Sequence, residues 1–131
     1  MAKISNNYVL AADVGGTNTR MAVVSENGDI HTLLKKTTHC KEGRDEMISF
    51  IVSFAGETIE KSKLPKEEIR GMGIGFPGPL NAEAGTIFNP PNLSGWDNVP
   101  LRAILEKELK VPVTIENDAN AAALGEWWKG A

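Results

Sequence analysis

From residue 71 to residue 76, glycine alternates with large apolar side chains. The glycines occupy positions 71, 73 and 75, and the apolar residues are Met72, Ile74 and Phe76. An alternation of period two predicts a β-strand with one apolar face. Glycine inside a strand indicates that a neighbouring backbone lies very close to the other face. The pattern therefore predicts a strand that is buried inside the fold.

Three further strands are predicted before this one. The apolar run 8–12 predicts a buried strand that ends at a tight loop, and residues 21–24 predict a second strand. Asn27-Gly28 indicates a type I′ turn, after which a return strand is expected at about residues 30–36. These strands follow one another directly, which predicts an antiparallel meander.

Helices and strands alternate in the rest of the chain. Apolar residues at helical spacing predict helices over 47–59 and 101–109, and an alanine-rich helix is predicted over 117–128. A strand is predicted at 111–115. The Pro-rich segment 77–100 is a long loop of the kind that often carries function, and within it only residues 86–88 are typical of a strand. Strands separated by helices pair in parallel through right-handed crossovers. We therefore predict an α/β fold, an actin-like ATPase (ribonuclease H-like) half-domain. It would have a three-stranded meander followed by βαβα units, in a mixed sheet with helices on both faces.

The composition is that of a globular protein, with 41% hydrophobic and 24% charged residues. A length of 131 residues suits a single domain over 1–131. The formal net charge of −3 argues against a basic surface for nucleic acid. No apolar run could span a membrane and no secretory signal precedes the first strand, so we expect a cytoplasmic protein. The single cysteine, Cys40, excludes an internal disulfide and a Cys-rich zinc site within this chain.

A glycine-rich loop with the sequence Asp-Val-Gly-Gly-Thr-Asn follows the first predicted strand. Gly15 and Gly16 would let backbone N–H groups approach an anion, and the Thr17 hydroxyl would add a donor. Asp13 lies at the mouth of this loop, where its carboxylate could hold Mg²⁺ or the waters around it. A plain hairpin capped by Asp13 would explain the two glycines alone, whereas the longer pattern, which includes Asn18, favours a phosphate site. It is not a P-loop, which needs Gly-Lys-[Ser/Thr] at the start of a helix.

Polar residues in the second half of the chain predict a site for a small polar ligand. Gly78 lies in a Pro-Gly-Pro turn that permits close backbone approach, although this could be only a strand exit. The side chain of Asn92 offers a donor and an acceptor, which suits a sugar hydroxyl. Asn117 and Asp118 follow the last strand, at the sheet edge where open α/β folds bind ligands. Helix capping would also explain Asn117 and Asp118, so two interpretations are open there.

Two other residues of these segments are assigned to structure. Arg20 lies at the start of a predicted strand, where we expect it to pair with a carboxylate. Trp96 is predicted to plug the long loop into the core, although an indole could also stack on a sugar.

Taken together, these segments resemble the N-terminal half of the ROK (repressor, ORF, kinase) family of sugar kinases, especially its bacterial glucokinases. The resemblance runs from about Tyr8 to Gly130, with the motifs in the expected order. The segment Asp-x-Gly-Gly-Thr-x-x-Arg resembles the first phosphate motif of the family. The sugar-side segments of the family resemble Pro-Gly-Pro, Pro-Asn-Leu-x-Gly-Trp and Glu-Asn-Asp-Ala-Asn-Ala-Ala-Ala-Leu-Gly-Glu. The resemblance implies that Asp118 is the general base and that Gly78, Asn92 and Asn117 contact the sugar.

The activity implied by this resemblance is ATP- and Mg²⁺-dependent phosphorylation of a hexose, with glucose converted to glucose 6-phosphate. Fructose, mannose and N-acetylated hexosamines are alternative substrates. The family continues with a second phosphate loop, an adenosine-binding segment and a histidine–cysteine zinc cluster, and this sequence ends at Ala131 before all three. We therefore expect an N-terminal domain that is inactive alone and belongs to a longer, homodimeric kinase. Zinc is expected only in the part beyond it.

Other functions are compatible with parts of the pattern. The same family includes sugar-responsive transcriptional repressors, but those carry a DNA-binding helix-turn-helix before this domain, and only seven residues precede Tyr8. A ribonuclease H-like nuclease could use Asp13 and Asp118 as metal ligands, yet the Gly-Gly-Thr element would then be unexplained. A non-catalytic sugar-binding module is the third alternative.

Overall fold

The computed structural model describes residues 7–38, 43–88, 90 and 95–117 of the chain. Its principal strands are β1 (Tyr8–Val14), β2 (Asn18–Ser25), β3 (Ile30–Thr37), β4 (Ile69–Gly75) and, after a hairpin of β5 (Leu80–Asn81) and β6 (Thr86–Ile87), β7 (Val113–Glu116). The helices are α1 (Arg44–Ser62) and α2 (Leu101–Leu109), and a short 3₁₀ turn covers Lys66–Glu68. Neither helix is long and apolar enough to cross a membrane, as far as the described residues go.

The main sheet has the strand order β3-β2-β1-β4-β7. Strands β1, β2 and β3 form an antiparallel meander. Strand β4 pairs in parallel with β1, and β7 pairs in parallel with β4. The predicted mixed α/β sheet, with a meander followed by parallel strands, is confirmed.

Both described helices lie on one face of the sheet. The chain moves from β3 to β4 and then to β7 in the same direction across the sheet, so right-handed crossovers place α1 and α2 on the same side. Helix α1 contacts β2 and β3, helix α2 contacts β7, and the two helices contact each other. The helix predicted over 117–128, which would cover the other face, falls outside the described residues apart from Asn117.

Helix α1 follows from the apolar spacing that predicted it. Met47, Ile51 and Phe54 recur on one side of the helix and are fully buried in the core. The acidic side chain of Asp45 in the first turn complements the partial positive charge of the helix N-terminus. The helix ends at Ser62, and the next residue, Lys63, adopts a left-handed conformation with φ of 62°.

The glycine-alternating segment forms β4, at the centre of the sheet. Its apolar side chains lie in the core together with residues of both helices. The three glycines lie on the opposite face and are buried. In the parallel register with β1, Gly73 lies beside Ala11, and Gly75 lies beside Asp13. The carboxyl end of β4 therefore lies directly beside the predicted phosphate loop.

Candidate active site

The predicted phosphate loop is the tight turn between β1 and β2. Pairing of the two strands continues to Val14 and Thr19, further than the sequence predicted, so the loop is only residues 15–17. The Gly15 amide donates to the Asn18 carbonyl at 2.9 Å, and a Cβ at residue 15 would lie 2.9 Å from the same oxygen. The geometry of the turn is therefore sufficient to explain the glycine at position 15.

Gly16 is different, because the turn does not require it. A Cβ built at this position would meet nothing within 4 Å, and its φ is not in the left-handed region. Gly16, Thr17 and Asn18 are all exposed. The outer side of the loop is therefore open to a ligand, as an anion-binding role for these residues requires.

The loop is held from the side of β3. The Thr17 carbonyl accepts a hydrogen bond from the Thr38 amide at 2.8 Å. Next to it, the hydroxyls of Thr19 and Thr38 form a buried hydrogen bond of 2.8 Å. Because buried polar pairs tolerate little displacement, the open loop has a fixed base.

Asp13 lies in a row of charged residues across the sheet. Arg20 is its neighbour on β2, and Lys35 is the neighbour of Arg20 on β3. On the other side Asp13 lies beside Gly75, which in turn lies beside Glu116 of β7. The predicted ion pair of Arg20 is not found, since no salt bridge joins Arg20 to a carboxylate among the described residues.

The carboxylate of Asp13 suits a hydrated magnesium ion. Asp13 is exposed at the end of β1, next to the open loop. Mg²⁺ usually keeps several waters and takes one or two carboxylates together with substrate phosphates. Within the described residues, no group of three or more histidine, cysteine or acidic side chains could enclose a metal. A single exposed carboxylate beside the loop therefore fits an ion that is shared with a bound phosphate.

Glu116 is a second carboxylate that the sequence analysis did not assign. Val113 and Ile115 of β7 are buried in the core, so alternation places Glu116 on the opposite face, which also carries Asp13. With Gly75 between them, the two residues lie two strand spacings apart, or about 10 Å. The alternation of β7 is the signal that could have identified Glu116.

Gly78 and Asn117, predicted on the sugar side, are in contact. A Cβ at residue 78 would lie only 2.6 Å from Asn117 Nδ2, so the amide group occupies the space that a side chain would need. Gly78 precedes a cis peptide bond to Pro79 and is half-buried, whereas Asn117 is exposed. The Phe76 amide also donates to the Glu116 carbonyl at 2.9 Å, which joins the ends of β4 and β7.

The structural role predicted for Trp96, which is to plug the long loop into the core, is confirmed. It is 1% exposed, and its ring packs on that of Phe76 with a centroid separation of 4.8 Å. An indole buried this deeply is not available to stack on a sugar. Trp96 therefore fixes the long loop beside the end of β4.

Asn92 and Asp118 lie outside the described residues, so their predicted roles stay predictions. Asp118 follows Asn117 directly in the sequence, and Asn117 is in place beside Gly78. Gly75 and Glu116 end β4 and β7, and Asp13 is the last residue but one of β1, so all three lie at the carboxyl ends of parallel strands. The structure thus brings the phosphate loop and the Gly78–Asn117 pair to the same edge, where open α/β sheets bind ligands.

Comparison with known proteins gives the same family as the resemblance of the sequence motifs. The ROK family model matches residues 9–131. A glucokinase of Halalkalibacterium halodurans is 35% identical over 128 residues, which cover 98% of this chain and 38% of the relative. A xylose repressor of Caldicellulosiruptor bescii is 39% identical over 89 residues, which cover 68% of this chain and 22% of the repressor. The chain therefore spans well under half the length of the curated relatives that it matches.

The fold comparison agrees with the sequence comparison. The crystal structure of a ROK family glucokinase from Streptomyces griseus, in complex with glucose and AMPPNP, superposes with a TM-score of 0.76. The two sequences are 30% identical, and the match covers 95% of this chain and 38% of the glucokinase. The mixed sheet is thus the actin-like fold seen in structures of ROK kinases. The chain belongs to the ROK family.

Proposed function

We propose that the full-length protein containing this chain is an ATP-dependent hexose kinase that converts glucose to glucose 6-phosphate. The observation that carries the proposal is the meeting of two sites at one sheet edge. Asp13 and the open Gly16 loop suit a phosphate chain, and Gly78 with Asn117 forms a small polar site nearby. Similarity to glucokinases supports the same activity.

In the proposed mechanism, Gly78, Asn92 and Asn117 hold the sugar while Asp118 accepts the proton of its 6-hydroxyl. The sugar oxygen then forms a bond to the γ-phosphorus of ATP, and the bond from that phosphorus to the ADP oxygen breaks. A positioned general base contributes roughly 10²–10⁴-fold to such a transfer. Gly15, whose amide donates to the Asn18 carbonyl, would shape the turn, and Gly16, Thr17 and the Asn18 side chain would face the phosphates and orient them. When bound, Mg²⁺ held through Asp13 and waters would neutralise phosphate charge.

The remaining features of the proposal concern the full-length protein. Residues 1–131 would form its N-terminal actin-like domain. The part beyond Ala131 would supply the second wall of the nucleotide cleft, a zinc cluster and the contacts of a homodimer. The support is the resemblance to ROK kinases, together with the 38% of a glucokinase that this chain spans. We also propose that the protein acts in the cytoplasm.

A coupled assay that follows ADP formation tests the function. We expect the full-length protein to turn over glucose on the order of 10 s⁻¹, the typical scale for enzymes. Fructose, mannose and N-acetylglucosamine as substrates would define its specificity. The 131-residue chain, assayed alone, is the control and should show no appreciable turnover because the cleft lacks its second wall. Turnover of about 10 s⁻¹ by the chain alone would contradict the proposed two-walled cleft.

A sugar-responsive repressor is the second candidate, because the xylose repressor of C. bescii is 39% identical over 89 residues. The same assay separates the two functions. A repressor would bind a sugar and an operator DNA without forming ADP, whereas a kinase would form sugar phosphate and ADP in equal amounts.

Replacement of Gly78 by Ala is expected to raise the KM for glucose about tenfold, with a smaller change in kcat. The added Cβ would lie 2.6 Å from Asn117 Nδ2, so Asn117 must leave its position beside the sugar. Steady-state kinetics of the full-length variant measure the effect. Gly56→Ala is the matched control, because a Cβ at this exposed position in α1 meets nothing within 4 Å. An unchanged KM in Gly78→Ala would show that Asn117 does not contact the sugar.

A further inference from the structure

Helix α2 lies between the two segments that carry Gly78 and Asn117. The β5–β6 hairpin, residues 80–87, follows Gly78 and Pro79, and the short strand β7 leads into Asn117. The hairpin strands β5 and β6 have only two residues each, so the hairpin needs contacts with a neighbouring element to hold its position. Strand β7 has four residues and pairs with β4 on one side, so contacts on its other side add to that pairing.

The hairpin is held by Arg102 in the first turn of α2. The Arg102 Nη1 group donates to the Glu83 carbonyl at 2.8 Å, and the Arg102 amide donates to the Gly85 carbonyl at 3.1 Å. The approach is close, since a Cβ at residue 85 would lie 2.5 Å from the Cβ of Arg102. From the hairpin, the Phe88 amide donates to the Pro79 carbonyl at 2.9 Å. This chain of contacts reaches the residue that follows Gly78.

Strand β7 is held by Glu106, one helical turn further along α2. Glu106 Oε2 accepts a hydrogen bond from the Val113 amide at 2.9 Å. The Pro112 carbonyl points towards β4, where it accepts from the Met72 amide, so the alternation of the strand directs the Val113 N–H away from β4. Glu106 thus supplies the partner that the first N–H of this edge strand would otherwise lack.

We propose that Arg102 and Glu106 are positioning residues, which set the distance between Gly78 and Asn117 in the sugar site. This inference rests on the proposed function. The two side chains lie at i and i+4, on the same side of one helix, and each binds main-chain atoms. Helix α2 is itself anchored in the core by Leu101, Leu105 and Leu109. Helix α2 therefore connects the two halves of the site through one side-chain hydrogen bond to each of them.

Two readouts on the full-length protein test the proposal. Glu106→Ala should speed hydrogen exchange in residues 113–117, and Arg102→Ala should do so in residues 80–88, with strands β1 and β2 unaffected. Each variant should also raise the KM for glucose about tenfold and change kcat much less. The tenfold factor corresponds to the free energy of roughly one charge-assisted hydrogen bond. Glu106→Gln keeps an oxygen acceptor and should restore both readouts. Glu108→Ala, an exposed position of the same helix, should change neither.

Several results would overturn the proposal. These are unchanged exchange in residues 113–117 of Glu106→Ala, no rescue by Glu106→Gln, or exchange that rises equally in β1 and β2. The last result would make Glu106 a residue of general stability only. Exchange is measured without substrate, so it tests the two contacts even if the full-length protein phosphorylates no sugar, the outcome that would instead refute the proposed function.

Discussion

Replacement of Asp118 by Asn in the full-length protein is expected to lower kcat by about 10²-fold or more. Asparagine has nearly the same size and caps a helix about as well as aspartate, but it cannot accept a proton from a sugar hydroxyl. Sugar affinity and thermal stability should therefore change little. Steady-state kinetics, glucose titration and a melting curve on the same preparation separate these quantities.

Asp97→Asn is the matched control for this experiment, because Asp97 is an exposed turn residue of the long loop and belongs to neither the phosphate loop nor the Gly78–Asn117 pair. It should leave kcat unchanged. If Asp118→Asn keeps a near-normal kcat, or loses activity only by unfolding, then Asp118 is a capping residue. The proposed phosphoryl transfer would then need another base, and the described carboxylate next to Asn117 is Glu116, on the face of the sheet that also carries Asp13.

Replacement of Trp96 by Ala is expected to cost about 3–5 kcal/mol of unfolding free energy, the usual cost of truncating a buried aromatic residue. Trp96 is 1% exposed and packs against Phe76, so the truncation opens a cavity at the end of the central strand. Urea unfolding, monitored by the fluorescence of the remaining tryptophans, measures the change in unfolding free energy. Phe88→Ala removes an aromatic ring that is 37% exposed and should cost far less. Equal losses in the two variants would show that Trp96 is not an anchor of the loop.

Much of the fold was predictable from residue patterns that have a direct physical cause. The alternation around Met72 predicted β4, and the helical spacing after Met47 predicted α1, because both follow from which side of an element is buried. The β5 strand was missed, since two residues have no period to detect. The boundaries of β1 and β2 were too short, because the ladder extends through polar residues such as Asp13 and Asn18.

The candidate site was predictable where a residue type itself limits the chemistry. Gly78 and Asn117 were predicted on the same side and are in contact. The roles of Arg102 and Glu106 could not be predicted from the sequence, because their hydrogen-bond partners are main-chain atoms, which every residue has. Glu116 was missed because a carboxylate at the end of a strand looks like ordinary surface. The roles of Asn92 and Asp118 stay predictions.

The parallel pairing of β1 with β4 joins residues that are far apart in the chain, such as Tyr8 and Ile69. Closing such a long loop costs entropy before any contact repays it, whereas β1, β2 and β3 meet through short turns. As the chain leaves the ribosome, the meander can therefore pair early, with one side of β1 still open. That open side is a strand edge that can pair with another chain until α1 and β4 emerge. During synthesis, protection of this edge depends on how soon the glycine-rich strand arrives.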